Sequence, residues 1–139
     1  MKYLVLFISI TFSLAILSCG KEDNDTSLRG RIEGKWEMIK VLDRSKDVTK
    51  NHNPDGNRWI RFVKDDKVQN GGYFESGRGD QKDNTGQWSL KGFEIFIDSD
   101  AGNDDDSYWQ VIIKGNDMHW IGQRFDFNKR FEIFYERAD

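Results

Sequence analysis

The chain has 139 residues, one cysteine and a formal charge of −3. That length holds one domain and hardly two. The lone cysteine excludes an internal disulfide, and a mildly acidic chain lacks the basic stripes that nucleic acid selects. Five Trp, ten Phe and four Tyr beside a single Pro exclude a low-complexity or collagen-like chain and are enough for a sizeable core.

Lys2 precedes an uncharged, apolar run from Tyr3 to Ser18, which reads as a secretory signal peptide. A retained signal anchor is the alternative, but the run falls short of the roughly 20 apolar residues of a spanning helix. It ends at Ile16-Leu17-Ser18-Cys19-Gly20, without a small-residue cleavage site of the A-x-A kind. This ending resembles the lipobox of bacterial lipoproteins, with Ile16 three before the cysteine, Ser18 directly before it and Leu17 where a small residue is usual. The resemblance implies cleavage after Ser18, a diacylglycerol on the Cys19 sulfur and an acyl chain on its new amino group. Such a protein is expected in the cell envelope, on the outer membrane of a Gram-negative bacterium. Each buried methylene contributes about 0.8 kcal/mol, so more than one chain anchors stably where a single chain is marginal.

Gly20 to Ser27 has no apolar residue, so it reads as a disordered tether. Extended, the tether to Arg29 reaches about 35 Å at about 3.5 Å per residue. Lys21-Glu22-Asp23 resembles the acidic signal that sends some lipoproteins to the cell surface; a solvated spacer is the alternative. The expected organisation is a signal peptide over 1–18, lipidated Cys19 and tether over 19–28, and one domain over 29–139.

Alternating apolar and polar residues then dominate. Ile32, Gly34, Trp36, Met38 and Leu42 share one parity and Ile39 and Val41 the other, which predicts a long first strand with a bulge near Met38. Asn51 to Asn57, with Pro54 and Gly56, predicts a loop. Arg58 to Lys64 is a strand with Ile60 and Phe62 on one face and Trp59, Arg61 and Val63 on the other. Val68 starts the next, interrupted by Asn70-Gly71-Gly72, and Tyr73 to Glu75 is short. Ser76 to Asp83 reads as a charged, glycine-rich loop. Thr85 to Leu90 carries Trp88, and after Lys91-Gly92 the residues Phe93, Ile95 and Ile97 alternate with polar neighbours. An acidic loop leads to Trp109, Val111 and Ile113; Gly115-Asn116 turns the chain to Met118 and Trp120. Arg124 to Lys129, with Phe125 and Phe127, is less regular, and Phe131, Ile133 and Tyr135 end the pattern. Phe-Glu-Ile-Phe occurs at 93–96 and 131–134, too short a match to define a repeat. The sum is about eight strands with no convincing helix. The expected fold is all-β, an antiparallel up-and-down barrel closed to remove its edges, with a two-sheet sandwich as the alternative.

Gly34-Lys35-Trp36 at the start of the first strand resembles the opening of lipocalins. Thr85-Gly86-Gln87-Trp88-Ser89-Leu90 followed by Phe93-Glu94-Ile95 resembles the middle of the short lipocalin-like lipoproteins of Gram-negative bacteria. The likeness covers about Leu28 to Arg137. It implies an arginine near the last strand stacked over the first tryptophan, with Arg124, Arg130 and Arg137 as candidates.

An eight-stranded barrel is either filled by its side chains or holds one small ligand. The candidate lining is Trp36, Met38, Arg61, Trp109, Trp120 and Tyr135, with Phe93, Ile95, Val111, Phe131 and Ile133 as further inward candidates. Arg61, if inward, needs a partner that a ligand carboxylate supplies; if Ile60 and Phe62 point inward it is wet. Asp98, Asp100 and Asp104 place oxygen ligands at calcium-like intervals, but no closing glutamate follows, so a solvated loop is the stronger reading. His52 and His119 offer no zinc spacing, and no serine or cysteine nucleophile stands in a recognisable setting. The expectation is a non-catalytic, cofactor-free lipoprotein attached to the membrane by its N-terminal lipid, whose barrel binds a small apolar or amphipathic ligand. The alternative is an interaction protein with a solid barrel whose loops contact another envelope protein or a glycan.

Overall fold

Two-residue alternation along successive segments joined by tight turns forces antiparallel neighbours with one dry face. The computed structural model describes residues 27–102, 106–123 and 130–139. Ser18, Cys19, the tether as far as residue 26, Asp104, Arg124, Phe125 and Phe127 lie outside these residues. The strands are β1 (Gly34–Asp43), β2 (Lys46–Asp47), β3 (Arg58–Lys64), β4 (Gly71–Arg78), β5 (Gln81–Lys91), β6 (Glu94–Ser99), β7 (Ser107–Lys114), β8 (Asp117–Gln123) and β9 (Arg130–Arg137). They lie in the order β2-β1-β3-β4-β5-β6-β7-β8-β9, and β1 also pairs with β9. Eight strands, β1 and β3 to β9, thus close an antiparallel barrel, and β2 folds back antiparallel beside the last two residues of β1.

The bulge expected in β1 is present. Met38 pairs with Tyr135 and Lys40 with Phe134, leaving Ile39 as the extra residue, 51% exposed. The inward parity changes there, from Trp36 to Val41, both buried. β1 also leaves β3 beyond Glu37. A short helix, α2 (Thr49–His52), and Asn53 occupy that divergence. Asn53 is 3% exposed; its Nδ2 donates to Met38 O at 2.8 Å and its Oδ1 accepts from Arg58 N at 3.0 Å.

The expectation of no helix is therefore corrected twice. The loop placed at Asn51 begins inside α2, and α1 (Leu28–Ile32) precedes the barrel. Elements of five and four residues carry too little periodicity to be read from pattern. Two further corrections concern β4 and β5. Val68 lies in a turn before β4, and Ser76 to Asp83 is not a loop: β4 and β5 stay paired to Arg78↔Gln81. Charged pairs hold that ribbon together, with Arg78 on Asp83 at 2.9 Å and Glu75 between Lys82 and Arg61.

One barrel end is closed by α1. Ser27 caps it, its Oγ accepting from Gly30 N at 3.2 Å. Arg29 donates to Gly71 O at the start of β4, and Arg31 to Ile113 O in β7 at 3.1 Å, so the helix spans the mouth. Ile32 is fully buried, as is Trp36, whose indole donates to Ile32 O at 2.8 Å. Arg137 is the arginine that covers Trp36, 4.2 Å above the ring. Its guanidinium donates to Glu33 O at 2.7 Å and Arg31 O at 2.6 Å. Gly34 has φ +118°, and a Cβ there would lie 2.6 Å from Arg137 Nη1, so the Gly-x-Trp spacing follows from this clamp.

Arg137→Gln is expected to lower stability by about 2–3 kcal/mol, because two charge-assisted bonds and the cation–π contact are lost together. Urea unfolding measures it; an unchanged midpoint would mean that the clamp contributes nothing.

Candidate functional site

Inward positions change in character along the barrel axis. At the closed end they are Ile32, Trp36, Phe62, Leu90, Ile113 and Met118, none more than 8% exposed. Phe62 meets Trp88 edge-on at 5.6 Å between centroids, and Trp88 Nε1 donates to Tyr73 O at 3.0 Å. In the far half the inward positions include Asp43, Arg58, Ser76, Asn84 and Ser99, set by alternation with Val41, Ile60, Phe74, Gly86 and Ile97. Ser99 Oγ is 3.0 Å from Asn84 Oδ1.

Aromatic rings stand between these halves. Trp120 contacts Tyr135 at 5.3 Å, Trp109 at 5.6 Å and Phe62 at 5.9 Å. Trp109 is half-buried and its indole donates to Ser107 Oγ at 2.9 Å. It lies over Gly122, where a Cβ would come within 2.4 Å of the ring. Met38 and Ile133 also pack against the core while keeping part of their surface. Tyr135 is 5% exposed; burial pushes its phenol above the ordinary tyrosine range, and the positive charge of Arg58 opposes that shift.

Three buried side-chain atoms have no hydrogen-bond partner among the described residues: Asp43 Oδ1, Arg58 Nε and Trp120 Nε1. All belong to inward side chains of the middle and far layers. A buried polar group without a partner costs about 1–3 kcal/mol, and among the described residues these three atoms lie together in the middle and far layers.

Several sequence expectations are redistributed. Trp36 serves the closing clamp. Met38, Trp109, Trp120 and Tyr135 share the interior. Arg61 is a correction: it is exposed, faces outward and pairs with Glu75 at 3.7 Å, in a surface groove of about 340 Å³ with Lys35, Trp59 and Lys82. Arg58, three residues earlier, is the inward arginine of β3; its shared parity with Ile60 and Phe62 was the available signal. Phe93 is a second correction. It is 75% exposed because the chain leaves the sheet at the Lys91–Phe93 turn, where alternation stops. Of the acidic loop, Asp100 Oδ2 accepts from Thr85 Oγ1 at 2.6 Å and Asp106 Oδ1 from Ser99 N at 2.9 Å, while Asp98 is exposed. No group of three metal-ligating side chains occurs among the described residues. His119 faces outward, stacked on Phe134 at 4.2 Å and 2.8 Å from Glu132 Oε2; the ring of His52 meets Phe131 edge-on.

The family model of the lipocalin-like domain matches residues 32–120, from the buried Ile32 to Trp120 at the barrel centre. The chain belongs to the lipocalin-like domain family. A search of curated proteins found no match.

Gly122→Ala is expected to displace the Trp109 indole and to cost about 1–3 kcal/mol of stability through overpacking. Tryptophan emission together with thermal unfolding tests this; wild-type values in both would show that the ring has room to move.

Proposed function

We propose that this protein is a lipid-anchored, non-catalytic binding protein of the bacterial cell envelope, which takes a small amphipathic molecule into the far half of its barrel. The observation that carries the reading is the axial change of the interior, from close-packed apolar rings at the α1 end to the half-buried Trp109 and unpartnered polar atoms beyond. Pockets for small molecules combine an apolar lining with a few placed polar groups, which is the composition found between Trp109, Trp120, Tyr135 and Arg58. Attachment through Cys19 rests on the Ile16–Cys19 pattern and the polar tether beyond it.

A second reading has support on the outer surface. Exposed Ile39 and Ile112 flank Phe134 in a groove of about 320 Å³. A protein partner that covers apolar side chains of this kind, with the barrel acting as a scaffold, would make the chain an interaction module.

Native mass spectrometry of the full chain, extracted in mild detergent, is expected to retain a small-molecule adduct that leaves on activation. Only the bare polypeptide, or a complex with another protein, would favour the second reading. Labelled palmitate is expected to enter the wild type and not Cys19→Ala; equal incorporation would refute the anchor.

A further inference from the structure

We infer that the bound molecule is an amphipathic acid whose carboxylate is held by Arg58, with its apolar body against Trp109 and Trp120. This assignment rests on the ligand-binding reading above and names the chemistry of that site.

Arg58 is the first residue of β3 and shares the inward parity of Ile60 and Phe62, which are 7% and 1% exposed. Its backbone is fixed by Asn53, whose Oδ1 accepts from Arg58 N, and by pairing with Arg78. Its Nε is buried with no hydrogen-bond partner, and no salt bridge to the guanidinium is found among the described residues. Five other arginines are engaged: Arg29, Arg61, Arg78 and Arg137 each have an acidic partner within 4 Å, and Arg31 donates to a backbone carbonyl, while Arg44 is exposed in the turn after β1.

A guanidinium carries five donors in a planar fork that matches a carboxylate. Held partly out of water, such a charge is costly until an anion meets it. Arg58 is half-buried, so part of its side chain keeps contact with solvent while its Nε is buried. Trp120 Nε1 is a second donor without a partner, and Trp109 and Trp120 offer ring surface for an apolar body. Asp43 is an inward carboxylate of this half. It lies on β1 opposite Phe131 and forms no salt bridge with Arg58, so it does not neutralise that charge at contact distance. Its unpartnered Oδ1 accepts from a hydroxyl or amide on the same molecule.

The test uses matched probes on the full chain in detergent: decanoate against methyl decanoate, and 2-naphthoate against 2-naphthamide, followed by tryptophan quenching. The acid of at least one pair is expected to bind about tenfold more tightly than its neutral counterpart, the worth of one charge-assisted contact. Arg58→Gln is expected to bring that ratio to about one while neutral binding persists, and Arg58→Lys to keep part of the preference. Near-UV circular dichroism checks that the variants remain folded. Equal affinity of acid and neutral partner for the wild-type protein overturns the carboxylate assignment and leaves the binding reading standing, and so does an acid preference that survives in folded Arg58→Gln. No binding of any probe overturns both.

Discussion

The clamp between Arg137 and Trp36 is the contact on which the rest of the barrel depends. A sheet becomes a barrel only if its first strand pairs with its last, and Trp36 lies where β1 meets β3 and β9 at once. Burying an indole of 150–250 Å² contributes about 4–6 kcal/mol at about 25 cal/mol per Å², more than either hydrogen bond of Arg137. Burial therefore supplies most of the energy, and the guanidinium supplies the geometry. By bonding to carbonyls of Arg31 and Glu33, it holds α1 across the mouth.

Closing one end leaves the other for the ligand proposed above. With Ile32, Trp36 and Phe62 at or below 1% exposure, the interior at the α1 end is apolar and filled. The bulge at Ile39 then turns β1, and its divergence from β3 admits α2 and Asn53. Asn53 replaces sheet hydrogen bonds that β1 and β3 no longer exchange, which keeps Arg58 at the start of a regular strand. The polar character of the far half is thus a consequence of how the barrel closes.

Much of the barrel was legible. Ile95 and Ile97, Val111 and Ile113, and Phe131 and Tyr135 alternate strictly, and each pair faces the core. The bulge near Met38 showed as a change of parity. β3 was harder, because Ile60 and Phe62 on one face confront Trp59 and Val63 on the other, and hydrophobicity alone does not rank them. Trp59 stays half-buried on the outside by lying over Gly77, with its indole donating to Gly79 O at 2.8 Å, and Lys35 covers the ring at 5.1 Å. Once that face is outward, Arg61 is wet and Arg58 is not. The ribbon of β4 and β5 was hidden for another reason: its charges and glycines resemble a loop until cross-strand pairs are formed.

By itself the sequence determined the all-β class and the approximate strand set, since alternation and turn chemistry are local properties of the chain; that an arginine covers the first tryptophan was implied by the resemblance to lipocalins. It left Arg124, Arg130 and Arg137 as equal candidates and placed Arg61 in the lining. Only the tertiary structure chose Arg137 for Trp36 and Arg58 for the interior. Which face of a strand becomes the inside is decided by its register with strands distant in sequence, and β1 meets β9 about a hundred residues away.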